Sequence, residues 1–136
     1  MTETTLRGSC LCGEVRYTVT GEARRFYHCH CRRCRKASGT GHVSNLFVQG
    51  ALRFDAGEER IHRYKVPEAE RFTNSFCASC GARVPRFLED LGVVSIPAGS
   101  LDDEPPILPQ ARVFMGSRAA WSCGGDDIAS FDEYPT

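Results

Sequence analysis

Hydrophobic and polar residues alternate over several short stretches of the chain, a pattern typical of β-strands with one buried face. The clearest stretch is residues 14–20, where β-branched and aromatic residues share one face. The same pattern predicts strands at residues 25–29, 42–48, 52–54, 60–64, 71–76, 93–96 and 112–115. Only one helical turn is expected, at residues 32–36 before the glycine-rich residues 38–41. The prediction is an all-β fold of small antiparallel sheets.

Glycine and proline mark the expected turns and the end of regular structure. Gly21 and Gly50 each follow a predicted strand and are expected to turn the chain. Prolines are frequent in residues 102–109, so the C-terminal segment is expected to be irregular. The acidic tail at residues 121–136 is expected to be loop-like. Its expected anchors are Trp121, Phe131 and Tyr134.

The size and composition are those of one ordinary soluble domain. The chain of 136 residues shows no internal repeat and no linker, so a single domain over residues 1–136 is expected. Seventeen basic residues balance seventeen acidic ones, which argues against nucleic acid as the main partner. Residues 1–7 are polar, and no apolar run approaches the roughly 20 residues of a membrane span. We expect a cytoplasmic protein without a membrane partner, of unknown oligomeric state.

Cysteine is the most informative residue type in this chain. In a reducing compartment the eight cysteines indicate metal ligands or reactive thiols rather than disulfides. Seven of the eight fall in three clusters, which are Cys10 with Cys12, Cys29 with Cys31 and Cys34, and Cys77 with Cys80. A structural zinc takes four protein ligands, whereas a catalytic zinc takes three and keeps one position open. Seven thiolates therefore predict one zinc site of each kind, or two zinc ions per chain.

The two cysteine pairs, Cys10 with Cys12 and Cys77 with Cys80, are predicted to form the closed structural zinc site. A glycine follows the second cysteine of each pair, and it allows backbone N–H groups to turn towards the sulfurs. The C-x-C spacing of the first pair places both sulfurs on one face of extended chain. A shared zinc would tie the N-terminal strand to the middle of the sheet.

The triplet of Cys29, Cys31 and Cys34 is predicted to form the open zinc site. These cysteines fall within six residues and can surround one ion without help from elsewhere. If the chain is extended here, the neighbouring His28 and His30 point to the opposite face, away from the metal. The fourth position would then take water or a substrate thiol, which binds as thiolate at neutral pH.

Basic residues beside the triplet suit a small thiol that carries carboxylates, and glutathione fits that description. The candidate carboxylate anchors are Arg32, Arg33, Arg35 and Lys36. His42 is a candidate proton carrier near the metal, with a hydrogen-bonded strand histidine as the alternative. His62 is expected to be a surface residue of a strand.

Two alternatives to an open site stay possible at the triplet. The first is a second structural zinc, closed by Cys123 or by a histidine. The second is a zinc-knuckle contact to nucleic acid through the adjacent arginines. If Cys123 is not a ligand, it is expected to be a spectator thiol.

Three cysteine motifs follow one another along the chain: GSCLCGEV at residues 8–15, CHCRRCRK at residues 29–36 and FCASCG at residues 76–81. In this order they resemble the glutathione-dependent formaldehyde-activating enzyme family, also called the GFA or CENP-V domain family. The resemblance covers nearly the whole chain. It implies a β-tent fold of antiparallel sheets that carries two zinc ions.

The resemblance also implies roles for the matching residues. The implied structural zinc ligands are Cys10, Cys12, Cys77 and Cys80. The implied catalytic zinc ligands are Cys29, Cys31 and Cys34. The implied activity is a carbon–sulfur lyase or synthase step that joins formaldehyde and glutathione as S-hydroxymethylglutathione. Asn74 stands where many members have an arginine, three residues before the second cysteine pair. The alternative function is a non-catalytic zinc module that binds a protein or chromatin partner.

Overall fold

Strands form most of the regular structure in the computed structural model, which describes residues 3–122 and 128–135. The strands are β1 (Thr4–Ser9), β2 (Arg16–Cys29), β3 (Val43–Ala56), β4 (Ile61–Lys65), β5 (Thr73–Cys77), β6 (Arg86–Leu88), β7 (Val93–Pro97) and β8 (Ala111–Val113). The helices are α1 (Arg32–Ser38) and the short 3-10 turns Glu58–Arg60, Ala98–Ser100 and Met115–Ser117. In this part of the chain no helix is long and apolar enough to cross a membrane.

Two sheets make up the fold. The large sheet has the order β1-β2-β3-β7-β6, with β8 pairing with β2 as well, and β4 and β5 form a separate two-stranded sheet. The pairings are antiparallel except for that of β8, which runs parallel to residues Tyr27 to Cys29 of β2. The predicted all-β, mainly antiparallel fold class is therefore confirmed. The predicted last strand is present as β8, but its parallel direction was not expected.

Strand β1 occupies a region that the sequence pattern assigned to a polar leader. Leu6 points into the core, while Thr5 and Arg7 on either side of it are exposed. Residues Thr4 to Ser9 pair with the first part of β2, from Gly21 back to Arg16. One apolar residue in six is a weak alternation signal, which is why the strand was missed.

Gly21 and Gly50 do not turn the chain, contrary to the prediction. They lie opposite each other in the middle of the two longest strands, β2 and β3. A Cβ atom at Gly50 would collide with the backbone of Thr20 and Gly21, and one at Gly21 would collide with that of Gln49. Glycine is needed here because the two backbones approach too closely for a side chain.

A bulge in β2 decides which side chains face the core and which face the triplet. The register with β3 shifts between Ala23 and Arg25. Odd-numbered residues such as Val19 face the core before this bulge, and even-numbered residues such as Phe26 face it afterwards. Cys29 consequently lies on the opposite face of the sheet. The buried core consists of Leu6, Tyr17, Val19, Phe26, Leu46, Val48, Val94 and Ile96.

The predicted helical turn after the triplet is confirmed as helix α1. It begins after Cys31, which is extended at φ −66° and ψ 155°, and it ends at Gly39, whose φ of 76° is left-handed. The N–H of Gly39 donates to the carbonyl of Arg35 at 2.8 Å, which closes the last turn.

The prediction that three aromatic side chains anchor the tail is wrong. Trp121, Phe131 and Tyr134 are 71%, 58% and 89% exposed. Trp121 and Ser122 do lie close to Gly41, next to the end of helix α1. The start of the tail therefore lies next to the loop after helix α1, and Trp121 stays largely exposed.

Candidate metal centres

Four thiols meet where the large sheet and the small sheet approach each other. Cys10 lies just after β1, Cys12 lies in the following turn, Cys77 ends β5 and Cys80 lies in the turn after it. All four sulfurs lie within 4.8 Å of one another. Their positions confirm the spatial part of the prediction, which brought the two distant pairs together.

The spacing of these sulfurs fits a tetrahedral metal and excludes a disulfide. The sulfur of Cys12 lies 3.7 Å from that of Cys10 and 3.9 Å from that of Cys77. Four sulfurs at the usual Zn–S distance are about 3.8 Å apart, whereas bonded sulfurs are about 2 Å apart. The donor set and the geometry therefore fit a structural zinc.

Backbone N–H groups point at the sulfurs of this cluster, as the following glycines led us to expect. Gly13 and Gly81 have left-handed φ values of 82° and 78°. The N–H of Val15 donates to Cys10 Sγ at 3.3 Å. The N–H of Ala82 is the main cause that lowers the pKa of Cys80 to about 6. These donors stabilise thiolate, which is the form that binds metal.

The triplet forms a second thiol cluster at the end of β2. Cys29 ends the strand, Cys31 caps helix α1 and Cys34 lies in its first turn. The three sulfurs lie within 4.8 Å of one another, and the N–H of Cys34 donates to Cys31 Sγ at 3.3 Å. The contact with Cys34 lowers the pKa of Cys29 to about 6, and the same contact raises the pKa of Cys34. Contact with Cys34 thus favours the thiolate form of Cys29, which is the form that binds metal.

Within residues 3–122 and 128–135, no histidine, cysteine or carboxylate joins the triplet as a fourth ligand. The described residues therefore do not support the alternative in which a histidine is the fourth ligand of the triplet's metal. Cys123 lies outside the described residues, so its predicted roles, as a fourth ligand or as a spectator thiol, stay predictions.

The histidines beside the triplet form a group of their own. The ring of His42 lies 4.4 Å from that of His28 and 5.0 Å from that of His30, measured between centroids. His28 Nδ1 is 3.0 Å from Ser44 Oγ, and His30 is only 1% exposed. This arrangement agrees with the strand parity that directed His28 and His30 away from the metal. The role of His42 as a proton carrier stays a prediction.

The predicted basic anchors divide into two groups. Arg32, Arg33 and Lys36 line a cavity of about 340 Å³ that Phe72 and Asn74 also border. Arg35 is directed elsewhere, since its guanidinium donates to the carbonyl of Ser117 at 3.1 Å. Phe72 packs against the triplet. We call this space the basic cavity, and Phe72 lies between it and the triplet. His62, as expected, is exposed on β4 and contacts Phe76.

Arg83 lies near the triplet, which the sequence did not reveal. Its Nε donates to Asn74 Oδ1 at 2.9 Å, while its Nη1 is buried without a hydrogen-bond partner among the described residues. Burial lowers the pKa of Arg83, and the nearby charges of Cys34 and Cys31 act in the opposite direction. Asn74 thus replaces the expected arginine but holds another guanidinium near the triplet. The one signal that could have singled out Arg83 is its charge, directly before Val84, which the structure buries.

A second cavity, which the sequence also did not reveal, reaches the triplet from another side. It measures about 540 Å³ and extends from Cys29 and Val113 past Tyr27 and Phe47 to Arg25. We call it the apolar cavity. The apolar cavity thus reaches Cys29 of the triplet directly, whereas the basic cavity borders the triplet through Phe72, and both are large enough for small molecules.

Comparisons with known proteins agree with this architecture. A crystal structure of a protein from Rhodobacter sphaeroides superposes with a TM-score of 0.54 at 18% identity, covering 78% of this chain and 98% of that chain. This likeness shows the fold. No curated protein sequence matches the chain. The family model described as glutathione-dependent formaldehyde-activating enzyme matches residues 5–117, a range that contains all three cysteine clusters. The chain therefore belongs to the glutathione-dependent formaldehyde-activating enzyme family.

Proposed function

We propose that this chain is a zinc-dependent carbon–sulfur lyase-type enzyme that joins glutathione and formaldehyde as S-hydroxymethylglutathione. The observation that carries the proposal is the triplet, three thiols without a fourth ligand among the described residues, placed beside a basic cavity. Membership of the family supports this substrate pair. The proposal includes two zinc ions per chain and a cytoplasmic location, where unbonded cysteines persist.

The chain's own residues supply binding and charge. The closed cluster of Cys10, Cys12, Cys77 and Cys80 would hold the structural zinc, and the triplet would hold the catalytic one. The triplet's zinc, when bound, supplies Lewis acidity that lowers the pKa of a thiol or polarises an aldehyde oxygen. Arg32, Arg33 and Lys36 would bind the carboxylates of glutathione, whereas Arg35, which is bound to Ser117, is a weaker candidate.

The reaction itself is a balanced addition. The thiol sulfur forms a bond to the carbonyl carbon, the second carbon–oxygen bond breaks, and the thiol proton ends on the oxygen. No oxidant or reductant is needed, and the reverse step releases the aldehyde. Phe72 and Val113, which pack against the triplet, would limit the access of water.

Exchange NMR on mixtures of glutathione and formaldehyde tests the proposal. The zinc-loaded protein should accelerate exchange between free and adduct carbon above the spontaneous rate, and Cys31→Ser should abolish the acceleration. Exchange at the spontaneous rate with a fully loaded protein would contradict the enzymatic proposal and favour a non-catalytic zinc module.

Cobalt substitution tests the open position independently of turnover. The visible spectrum of cobalt in the triplet should change when glutathione is added, because the glutathione thiolate can coordinate the cobalt only if a position is free. A spectrum that does not respond would show a closed second site.

A further inference from the structure

The apolar cavity is larger than the proposed reaction with formaldehyde requires. Its volume of about 540 Å³ lies in the range of roughly 300–1,000 Å³ that is typical of sites for much larger organic molecules. Formaldehyde has one carbon and one oxygen, so it would leave nearly the whole space to water. The cavity therefore indicates a larger group next to the triplet.

The wall of this cavity is mainly apolar, and most of it lies on the outer face of the large sheet, where Asn45 and Gln49 add two polar side chains. The bulge in β2 places Tyr27 and Cys29 on this face, and Phe47 of β3 and Val93 of β7 lie beside them. The rings of Tyr27 and Phe47 are tilted, with centroids 6.2 Å apart. Both side chains are only half-buried, so an apolar ligand would remove more of their surface from water.

The two ends of the cavity differ in chemistry. Cys29 and Val113, both part of the apolar cluster around the triplet, form one end. Arg24 and Arg25 lie towards the other, four to five residues back along β2, or roughly 13 to 17 Å at the usual rise of a strand. Arg24 is paired with Glu22 at 2.8 Å, whereas the Arg25 guanidinium has no ionic or hydrogen-bonding partner among the described residues. An anionic group would therefore complement Arg25.

We propose that, besides formaldehyde, the site joins to the thiol a larger aldehyde, whose apolar ring or chain fills the apolar cavity and whose acidic group lies near Arg25. The inference rests on the proposed function, since it assigns the thiol to the basic cavity and the rest of the aldehyde to the apolar one. The chemistry is the same balanced addition, with the sulfur bonded to the former carbonyl carbon and the thiol proton on its oxygen.

Binding of stable thioethers tests this inference without turnover. Calorimetric titration of the zinc-loaded protein would compare S-methylglutathione, S-benzylglutathione and S-(4-carboxybenzyl)glutathione. S-benzylglutathione should bind about tenfold or more tightly than the methyl compound, because its ring enters the apolar cavity. The added carboxylate should strengthen binding further. Arg25→Met should remove this gain in affinity, whereas Arg24→Met should keep most of it.

A pair of matched variants locates the ring. Val93→Trp fills the cavity from β7 and should remove the preference for the benzyl over the methyl compound. Leu108→Trp adds the same side chain at a position that is 80% exposed and does not line the cavity, so it should keep the preference. Circular dichroism of both variants shows whether they are folded.

Four outcomes would overturn the inference, and the measurement of formaldehyde exchange distinguishes them from failure of the proposed function. Accelerated formaldehyde exchange together with equal binding of the methyl and benzyl compounds overturns the inference alone. A benzyl preference that survives Val93→Trp, or a carboxylate that adds nothing, also overturns it. If sedimentation shows a dimer that Val93→Trp dissociates, a second copy covers the cavity and the inference is wrong. Absence of any thioether binding and of accelerated exchange would contradict both proposals.

Discussion

At the scale of single residues, Arg83 would balance the charge of a triplet loaded with zinc. Three thiolates and one divalent cation carry a net charge of −1, and a buried guanidinium nearby offsets it. Asn74 orients Arg83 through its side-chain oxygen at 2.9 Å. The buried Nη1 has no hydrogen-bond partner among the described residues, and the charges of Cys34 and Cys31 favour the protonated form of Arg83, which burial disfavours.

Replacing Arg83 with methionine should weaken metal binding at the triplet by about 10–100-fold, the usual effect of losing a group that supports the ligands. Competition with a coloured chelator measures the affinity of the second zinc equivalent. Arg83→Lys keeps the charge and should lose less, and Arg53→Met removes an exposed arginine as a control. Equal affinities in Arg83→Met and the wild type would contradict this role.

Single cysteine substitutions should separate the two clusters. Cys31→Ser should lose about one zinc per chain and all activity while the fold remains, because the triplet lies at one end of β2 and helix α1. Cys77→Ser should unfold the domain, because it breaks the cluster that joins the two sheets. Metal analysis and circular dichroism check both results, and equal behaviour of the two variants would refute the division into open and closed sites.

Sequence reasoning succeeded for the residues whose neighbours are local. The parity of a strand separated His28 and His30 from the triplet, and the spacing of the cysteines predicted both clusters. It failed for Arg83, because this side chain reaches the triplet only after β5 and the turn behind it fold against the large sheet. A long-range contact of this kind leaves no periodic pattern in the sequence.

At the scale of elements, the long pair β2 and β3 supports the site. Its bulge redirects the second half of β2, so that one strand supplies the core with Phe26 and the triplet with Cys29. The sequence predicted two strands with a turn at Gly21 instead. Glycine serves both turns and close backbone contacts, and the pattern of neighbouring residues does not distinguish them.

The close contact inside this pair makes Gly50 intolerant of substitution. Gly50→Ala should lower the free energy of unfolding by about 1–3 kcal/mol, because the new methyl group collides with backbone atoms that cannot move aside cheaply. Gly99→Ala is the matched control, since a Cβ atom there meets nothing within 4 Å. Urea denaturation measures both, and an equal loss in the two variants would contradict the proposed collision.

At the scale of the whole molecule, the closed cluster joins the two sheets. Its first pair follows β1 of the large sheet, and its second pair follows from β5 of the small one. A bound zinc would contribute much of the folding free energy of so small a domain, since structural sites are worth roughly 10–16 kcal/mol in peptides. The sequence predicted this connection from the cysteine pairs, but the existence of two sheets came only from the structure.

Removal of metal should therefore unfold the domain rather than only inactivate it. Excess EDTA should abolish the cooperative thermal transition, and added zinc should restore it. EDTA already saturated with zinc is the control for effects of the chelator itself. A transition that persists after complete metal removal, verified by elemental analysis, would contradict a structural role.

The parallel pairing of β8 with β2 has a consequence for the order in which the site forms during synthesis. The triplet is complete once residue 34 has left the ribosome, and the closed cluster once Cys80 has. The wall that includes Val113 needs a strand about 80 residues later in the chain than its partner Cys29. If the triplet binds metal, the ion can thus enter the nascent chain before β8 completes the apolar cavity beside it.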